Sequence, residues 1–135
     1  MPIHKIMSTD LHTVGPDEPL PIALMKMKAR PCRHLPVVEE GRLVGMLSDR
    51  DLKDAWPSRA PLISGHERIQ NIGQVKVRSI MTTEVVTIDE EASIAEGATK
   101  LLSRNVGALV VVNHYGQLTG IVTVKDMLRE LVRLL

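Results

Sequence analysis

The sequence contains no phenylalanine, one tryptophan (Trp56) and one tyrosine (Tyr115). A core without aromatic rings has to be filled by Leu, Val, Ile, Met and Ala, and a planar ligand would lie against aliphatic side chains. Readers of single-stranded nucleic acid stack bases on aromatic side chains, so this composition speaks against them. Cysteine is nearly absent as well: Cys32 alone makes neither an internal disulfide nor a zinc knuckle. No apolar run approaches the ~20 residues of a membrane-spanning helix. The opening MPIHKIMSTD has no apolar signal region. An excess of charge is missing too. Lys and Arg number 17 against 16 Asp and Glu, a formal net charge of +1, which offers nucleic acid or an anionic membrane little purchase. These absences lead us to expect a cytoplasmic protein with neither nucleic acid nor membrane as partner.

What is present is a repetition. GMLSDRDL (Gly45 to Leu52) returns as GIVTVKDM (Gly120 to Met127), 75 positions later. Further upstream KIMSTDLHTV (from Lys5) matches SIMTTEVVTI (from Ser79) at an offset of 74, and LPVV (Leu35 to Val38) matches LVVV (Leu109 to Val112) at the same offset. The extra residue enters in the turn, NHYGQ against EEGR. Two copies are too few for a solenoid and predict a pseudo-twofold pair sharing a core. The division expected is 1–56 for the first repeat, 57–74 for a linker and 75–135 for the second.

Each copy carries the same order of elements. Leu20, Ala23, Leu24 and Met27 lie on one helical stripe, and Ile94, Gly97, Ala98 and Leu101 repeat it. Pro19 suits the start of the first helix and Ser93 the cap of the second. HLPVV and ALVVVN read as buried strands, each joined through a glycine turn to RLVGMLS or QLTGIVT. A helix follows each hairpin. The fold class expected is α+β, with two β-α-β-β-α repeats. In the linker, Ser64 and Glu67 have capping-box spacing, which predicts a short helix near 65–72 with Leu62, Ile63, Ile69 and Ile72 buried. Met25, Met27, Met46 and Met127 are expected in the core. The last helix has an apolar stripe at Leu128, Leu131, Val132 and Leu135, with Arg129, Glu130 and Arg133 outside it. That stripe calls for a partner surface, and a homodimer through these helices is expected.

The doubled Ser48-x-x-Asp51 and Thr123-x-x-Asp126 admit two readings. In one they are capping boxes and need no ligand. In the other, a hydroxyl at a strand end beside free N–H groups receives a phosphate, helped by Arg50 and Lys125. Asp51 and Asp126 would then accept from the cis-diol of a ribose. Hydroxyl, base and acid together fit a nucleotide better than a bare anion. Gly45 and Gly120 would let a backbone or a ligand come close.

With these motifs, the sequence resembles a tandem pair of cystathionine-β-synthase (CBS) domains, from Ile6 to about Leu131. The Ile-Met opening, the LPVV strand, the glycine and the G-h-h-[ST]-x-x-D ending all occur in order, twice. The proline-containing linker with its His-Glu pair is similar to that of acetoin-utilisation-type CBS proteins. The resemblance implies a standalone regulatory module that binds AMP first of all, or ADP, ATP, S-adenosylmethionine or NAD, in two clefts between the repeats. It implies a flat homodimer that signals to an effector protein still to be identified. The ribose role would fall on Asp51 and Asp126, and the phosphate role on Ser48 and Thr123. The adenine would lie near Thr13 and Thr87 and against the second strand, where His34 and Pro36 match Ala108 and Val110. Many relatives carry arginine where this chain has His34, so a phosphate contact there belongs to the first copy alone. Asp49 faces neutral Val124 in the comparison of copies, which disfavours a triphosphate in the first.

No enzyme is expected. His4, His12, His34, His66 and His114 show no HxxxH spacing, and there is no P-loop or serine-nucleophile signature. Arg30 and Arg33 near Cys32 would favour its thiolate, but no triad surrounds it. A protein-interaction module whose two motifs are only helix caps is the competing expectation.

Overall fold

The structure, a computed structural model, describes residues 1–29, 32–56 and 73–135. Its elements in chain order are α1 (Leu20–Ala29), β1 (His34–Glu39), β2 (Arg42–Ser48), α2 (Asp49–Ala55), β3 (Thr87–Asp89), α3 (Ile94–Arg104), β4 (Ala108–Val112), β5 (Leu118–Thr123) and α4 (Val124–Leu134). Short 3-10 turns at Ile3–Lys5 and Val77–Ser79 open the two repeats. The expected linker helix, its capping box and its four buried residues lie outside the described residues, as does Arg30.

The chain forms two compact units. The central unit is His12–Glu84; the terminal unit joins Met1–Leu11 to Val85–Leu135. The duplicated sequence and the compact units therefore do not share boundaries. The opening of each repeat packs with the body of the other copy's sequence. Ile3 is fully buried with Ile88, Leu101, Leu109, Val111 and Val122. Its counterpart Val77 is fully buried with Leu20, Leu35, Val37 and Leu47.

Gly45 and Gly120 explain this arrangement. A Cβ at Gly45 would stand 2.9 Å from the Thr82 carbonyl oxygen and 2.7 Å from Met81 Sδ. At Gly120 it would stand 2.9 Å from the Ser8 carbonyl oxygen. The close approach that the glycines permit is thus made by backbone. Thr82 exchanges two hydrogen bonds with Met46, and Ser8 two with Ile121, at 2.9–3.0 Å. Each opening segment is a strand-like strap on the edge of β2 or β5.

The central sheet is the antiparallel hairpin β1–β2, which Val14 joins by a parallel bridge to Val37. The terminal sheet has order β3-β4-β5, with β3 parallel and β5 antiparallel to β4. Glu40 and Gly41 both have positive φ in a two-residue turn, the backbone that suits strand twist. The second hairpin turn has the extra residue, and Asn113 Oδ1 accepts from the backbone N–H of Tyr115 and of Gln117 to close it. The same irregularity of register falls between Val37 and Val38 and between Val111 and Val112. Odd positions such as Leu35, Val37, Leu109 and Val111 enter the two core clusters, and the even positions lie on the other sheet face, where Pro36 and Val110 are fully buried as well.

Two sequence expectations are corrected. Met25 is 65% exposed, one residue past the buried stripe of α1 and on the opposite side from Ala23 and Met27, and Met46 is only partly buried, on the sheet face away from the core cluster. On α4, Glu130, expected on the outer side of the helix, is buried at 8% exposure, while the stripe that calls for a partner surface is open, with Val132 at 73% and Leu131 at 51%. Glu130 is kept ionised by Arg133, whose guanidinium donates to its carboxylate and holds the carboxyl below its usual range. Met127 and the cap hold α4 to its sheet, so the helix turns its leucines away from its own unit.

Candidate nucleotide site

Strand register brings the expected residues together within each unit. In the terminal unit Thr87 stands beside Val110, Val110 beside Ile121, and Ala108 beside Thr123. Thr87, Ala108, Val110, Ile121 and Thr123 therefore share the sheet face that does not point into the core cluster. Thr87 and Thr123 mark opposite corners of that face, about 12 Å apart from strand spacing and rise. In the central unit His34 stands beside Ser48 and Pro36 beside Met46. Val14 joins that sheet at Val37, which puts Thr13 in the position of Thr87.

Both hydroxyl–aspartate pairs are complete capping boxes. Ser48 Oγ accepts from Asp51 N at 3.0 Å, and Asp51 Oδ2 accepts from Ser48 N at 3.0 Å. Thr123 Oγ1 accepts from Asp126 N at 3.3 Å, and Asp126 Oδ2 accepts from Thr123 N at 2.8 Å. The entry to each helix is fixed in the same way in both copies: Asp49 N donates to Arg33 O at 2.9 Å, and Val124 N to Gly107 O at 3.2 Å. The capping bonds use one oxygen of each aspartate. The other oxygen differs between copies. Asp126 Oδ1 accepts from Arg129 Nη1 at 2.9 Å, while Asp54 occupies the position of Arg129 in the central unit. Arg50 lines a cleft of about 320 Å³ with Arg33, Asp49, Lys53 and Asp54. A larger cleft of about 470 Å³ runs between α1 and α2, past Leu24, Met27, Cys32, Leu52 and Trp56. None of the residues expected to hold a nucleotide lines it.

His34 is partly buried, and loss of solvation pushes its pKa below the ordinary value. Asp49 and Asp51 act against that shift and Arg33 adds to it. The imidazole is therefore neutral at neutral pH.

Two lysines escaped the sequence reading. Lys26 Nζ donates to Thr13 O at 2.7 Å, and Lys100 Nζ donates to Thr87 O at 2.7 Å. Both bonds span 13 residues and tie a helix to the threonine segment on the candidate face. The signal was available: Lys26 and Lys100 are the residue that the two helices share at the 74-residue offset. Lys26 is also paired with Glu18 at 3.3 Å, whereas Ala92 stands at the matching place beside Lys100. Among the described residues no group of three His, Cys, Asp or Glu side chains is placed to hold a metal ion.

The CBS-domain family profile matches residues 3–58 and 77–133. A CBS domain-containing protein of Dictyostelium discoideum is 35% identical over 134 residues, covering 98% of this chain and 92% of its own length. The solved CBS domain pair of protein MJ0100, in complex with 5′-methylthioadenosine and S-adenosyl-L-methionine, superposes with a TM-score of 0.82 at 26% identity, covering 100% of this chain and 98% of that one. A putative acetoin utilization protein (AcuB) from Vibrio cholerae gives a TM-score of 0.79 at 26% identity, over 99% of this chain and 92% of that one. With two copies of the motif, the matching α+β fold and these relatives, the chain belongs to the CBS-domain family, as a tandem CBS pair.

Proposed function

We propose that this CBS pair is a regulatory module, not a catalyst, that binds an adenosine-containing ligand and reports it to a partner protein. One observation carries the reading. Each unit presents, in the same strand register, a threonine at one corner of a sheet face and a hydroxyl–aspartate pair at the other. Adenine would lie by Thr13, His34 and Pro36 in one unit and by Thr87, Ala108 and Val110 in the other. Asp51 and Asp126 would accept from ribose hydroxyls through the oxygen that the capping box leaves over. Ser48 with Arg50, and Thr123 with Lys125, would hold phosphate. The ligand class is supported by MJ0100, whose CBS pair is solved with two adenosine compounds. AMP is the first candidate here, and ADP, ATP and S-adenosylmethionine follow. A ligand changes the conformation only through different affinities for two states, so the partner reads that difference. The exposed stripe on α4 supports homodimer formation through this helix.

Thermal unfolding with AMP, ADP, ATP, S-adenosylmethionine and NAD tests the reading. A ligand at 100 times its Kd adds about 2.7 kcal/mol and raises Tm by several degrees. Asp51→Asn and Asp126→Asn keep an acceptor for the cap and weaken the ribose bond, so they should reduce the shift at constant fold. Absence of a shift with every ligand would leave two helix caps and favour the interaction-module reading, for which the exposed α4 stripe is the supporting observation.

A further inference from the structure

The two candidate sites have the same frame and different charge. In the central unit, among the described residues, each base near the site has an acid to match it. Glu18 lies 3.3 Å from Lys26 Nζ. Arg33, Arg50 and Lys53 share one cleft with Asp49 and Asp54, and Asp51 adds a third carboxylate at the cap. His34 adds no charge at neutral pH. In the terminal unit three of those four acids are replaced, Glu18 by Ala92, Asp49 by Val124 and Asp54 by Arg129, and two of the bases, Arg33 by Gly107 and Lys53 by Leu128. At the hydroxyl–aspartate corner Lys125 and Arg129 then stand with the one carboxylate Asp126 among the described residues, while Lys100 is held at the opposite corner by the Thr87 carbonyl. Arg129 already closes the spare oxygen of Asp126, and at 68% side-chain exposure it is free to swing toward an incoming anion.

We infer that the two units sort adenosine ligands by charge: the terminal unit takes an adenosine polyphosphate, and the central unit takes AMP or an uncharged or cationic adenosine compound. This rests on the nucleotide reading above and deepens it. The physical reason is Coulombic. One surplus positive charge within about 8 Å of a polyphosphate amounts to about a threefold preference after screening by physiological salt. In the central unit the same phosphates meet balanced charge and gain nothing. The ribose contributes in the same sense. A ligand without phosphate leaves Arg129 on Asp126, where it competes with the diol. A polyphosphate draws Arg129 away and frees the carboxylate.

The test is calorimetric titration of the full chain carrying Asp51→Asn, and separately Asp126→Asn, with ATP, AMP and S-adenosyl-L-methionine. The Asp51→Asn protein should prefer ATP over S-adenosyl-L-methionine by about threefold, and added salt should erase the preference. The Asp126→Asn protein should show no such preference, or the reverse. Adding Arg129→Ala to Asp51→Asn should lower ATP affinity and raise that of S-adenosyl-L-methionine; general loss of structure would lower both. The same preference in both single variants would overturn the sorting while the nucleotide reading stood. No binding heat from any of the three with the unsubstituted chain would overturn both.

Discussion

His34 has no histidine counterpart, since Ala108 holds that place in the other copy. Its pKa is depressed in the fold, mainly by burial. The unfolded chain therefore binds more protons than the folded one once the pH drops below the ordinary histidine value near 6.5. The stability that depends on a neutral His34 is fully present above that pH and is lost as pH falls through the folded pKa. Urea midpoints measured from pH 7.5 down to 5 should decline, and His34→Gln should flatten the part of the decline that begins near 6.5. An unchanged slope in the variant would place the acid sensitivity elsewhere. The same residue could be picked out in the sequence, but not its charge state, because neutrality depends on burial and on Asp49 and Asp51, which only folding brings near.

Gly45 and Gly120 carry the next prediction at this scale. Alanine at either position puts a methyl group 2.9 Å from a backbone carbonyl oxygen, which has to move. We expect losses of about 1–3 kcal/mol and a lower Tm for both Gly45→Ala and Gly120→Ala. Gly107→Ala is the control. Nothing lies within 4 Å of its Cβ and its φ is not positive, so it should be neutral or slightly stabilising. Equal losses at all three positions would contradict the strap packing.

At the scale of elements, the two capping boxes set where α2 and α4 begin, whether or not a ligand binds. Ser48→Ala and Thr123→Ala should each cost about 1 kcal/mol, read from chemical denaturation. α1 and α3 are tied in addition by Lys26 and Lys100 reaching the Thr13 and Thr87 carbonyls, and α3 starts at a cap of its own, where Ser93 Oγ accepts from Glu96 N. The α4 helix shows how far periodicity carries. Its apolar stripe was legible from spacing, and so was its need for a partner. Which side faced the protein was not, because Thr123, Asp126 and Met127 fix the helix rotation and leave Glu130 inside. Val132→Asp, on the most exposed part of the stripe within the helix, should shift the proposed dimer to monomer in sedimentation velocity without lowering Tm by more than the loss of association explains. A monomer before substitution would remove the dimer proposal.

For the whole molecule, the consequence lies in the exchange of opening segments. Ile3 belongs in sequence to the first repeat and in packing to the terminal unit. Truncation to Ile3→Ala removes a fully buried side chain and should cost about 2–5 kcal/mol. Hydrogen exchange should then show weakened protection in β3, β4 and β5, far along the chain, and little change in β1 and β2. Weakening confined to β1 and β2 would mean that the repeats are independent as written in sequence.

Much was decided by the sequence alone. The duplication, its offset and the extra turn residue specify two similar α+β bodies, because period and turn chemistry are local. Ser48-x-x-Asp51 and Thr123-x-x-Asp126 specify the caps for the same reason, since all their bonds lie within three residues. Tertiary structure decided everything that depends on distant chain segments. It chose which backbone fills the space beside Gly45 and Gly120, and so which opening joins which unit. It brought Lys26 to Thr13 and Lys100 to Thr87. It left Glu18 beside one lysine and Ala92 near the other, so that one motif, written twice, sits in two different electrostatic settings. A motif carries its own hydrogen bonds, but its field comes from every charge that folding brings close.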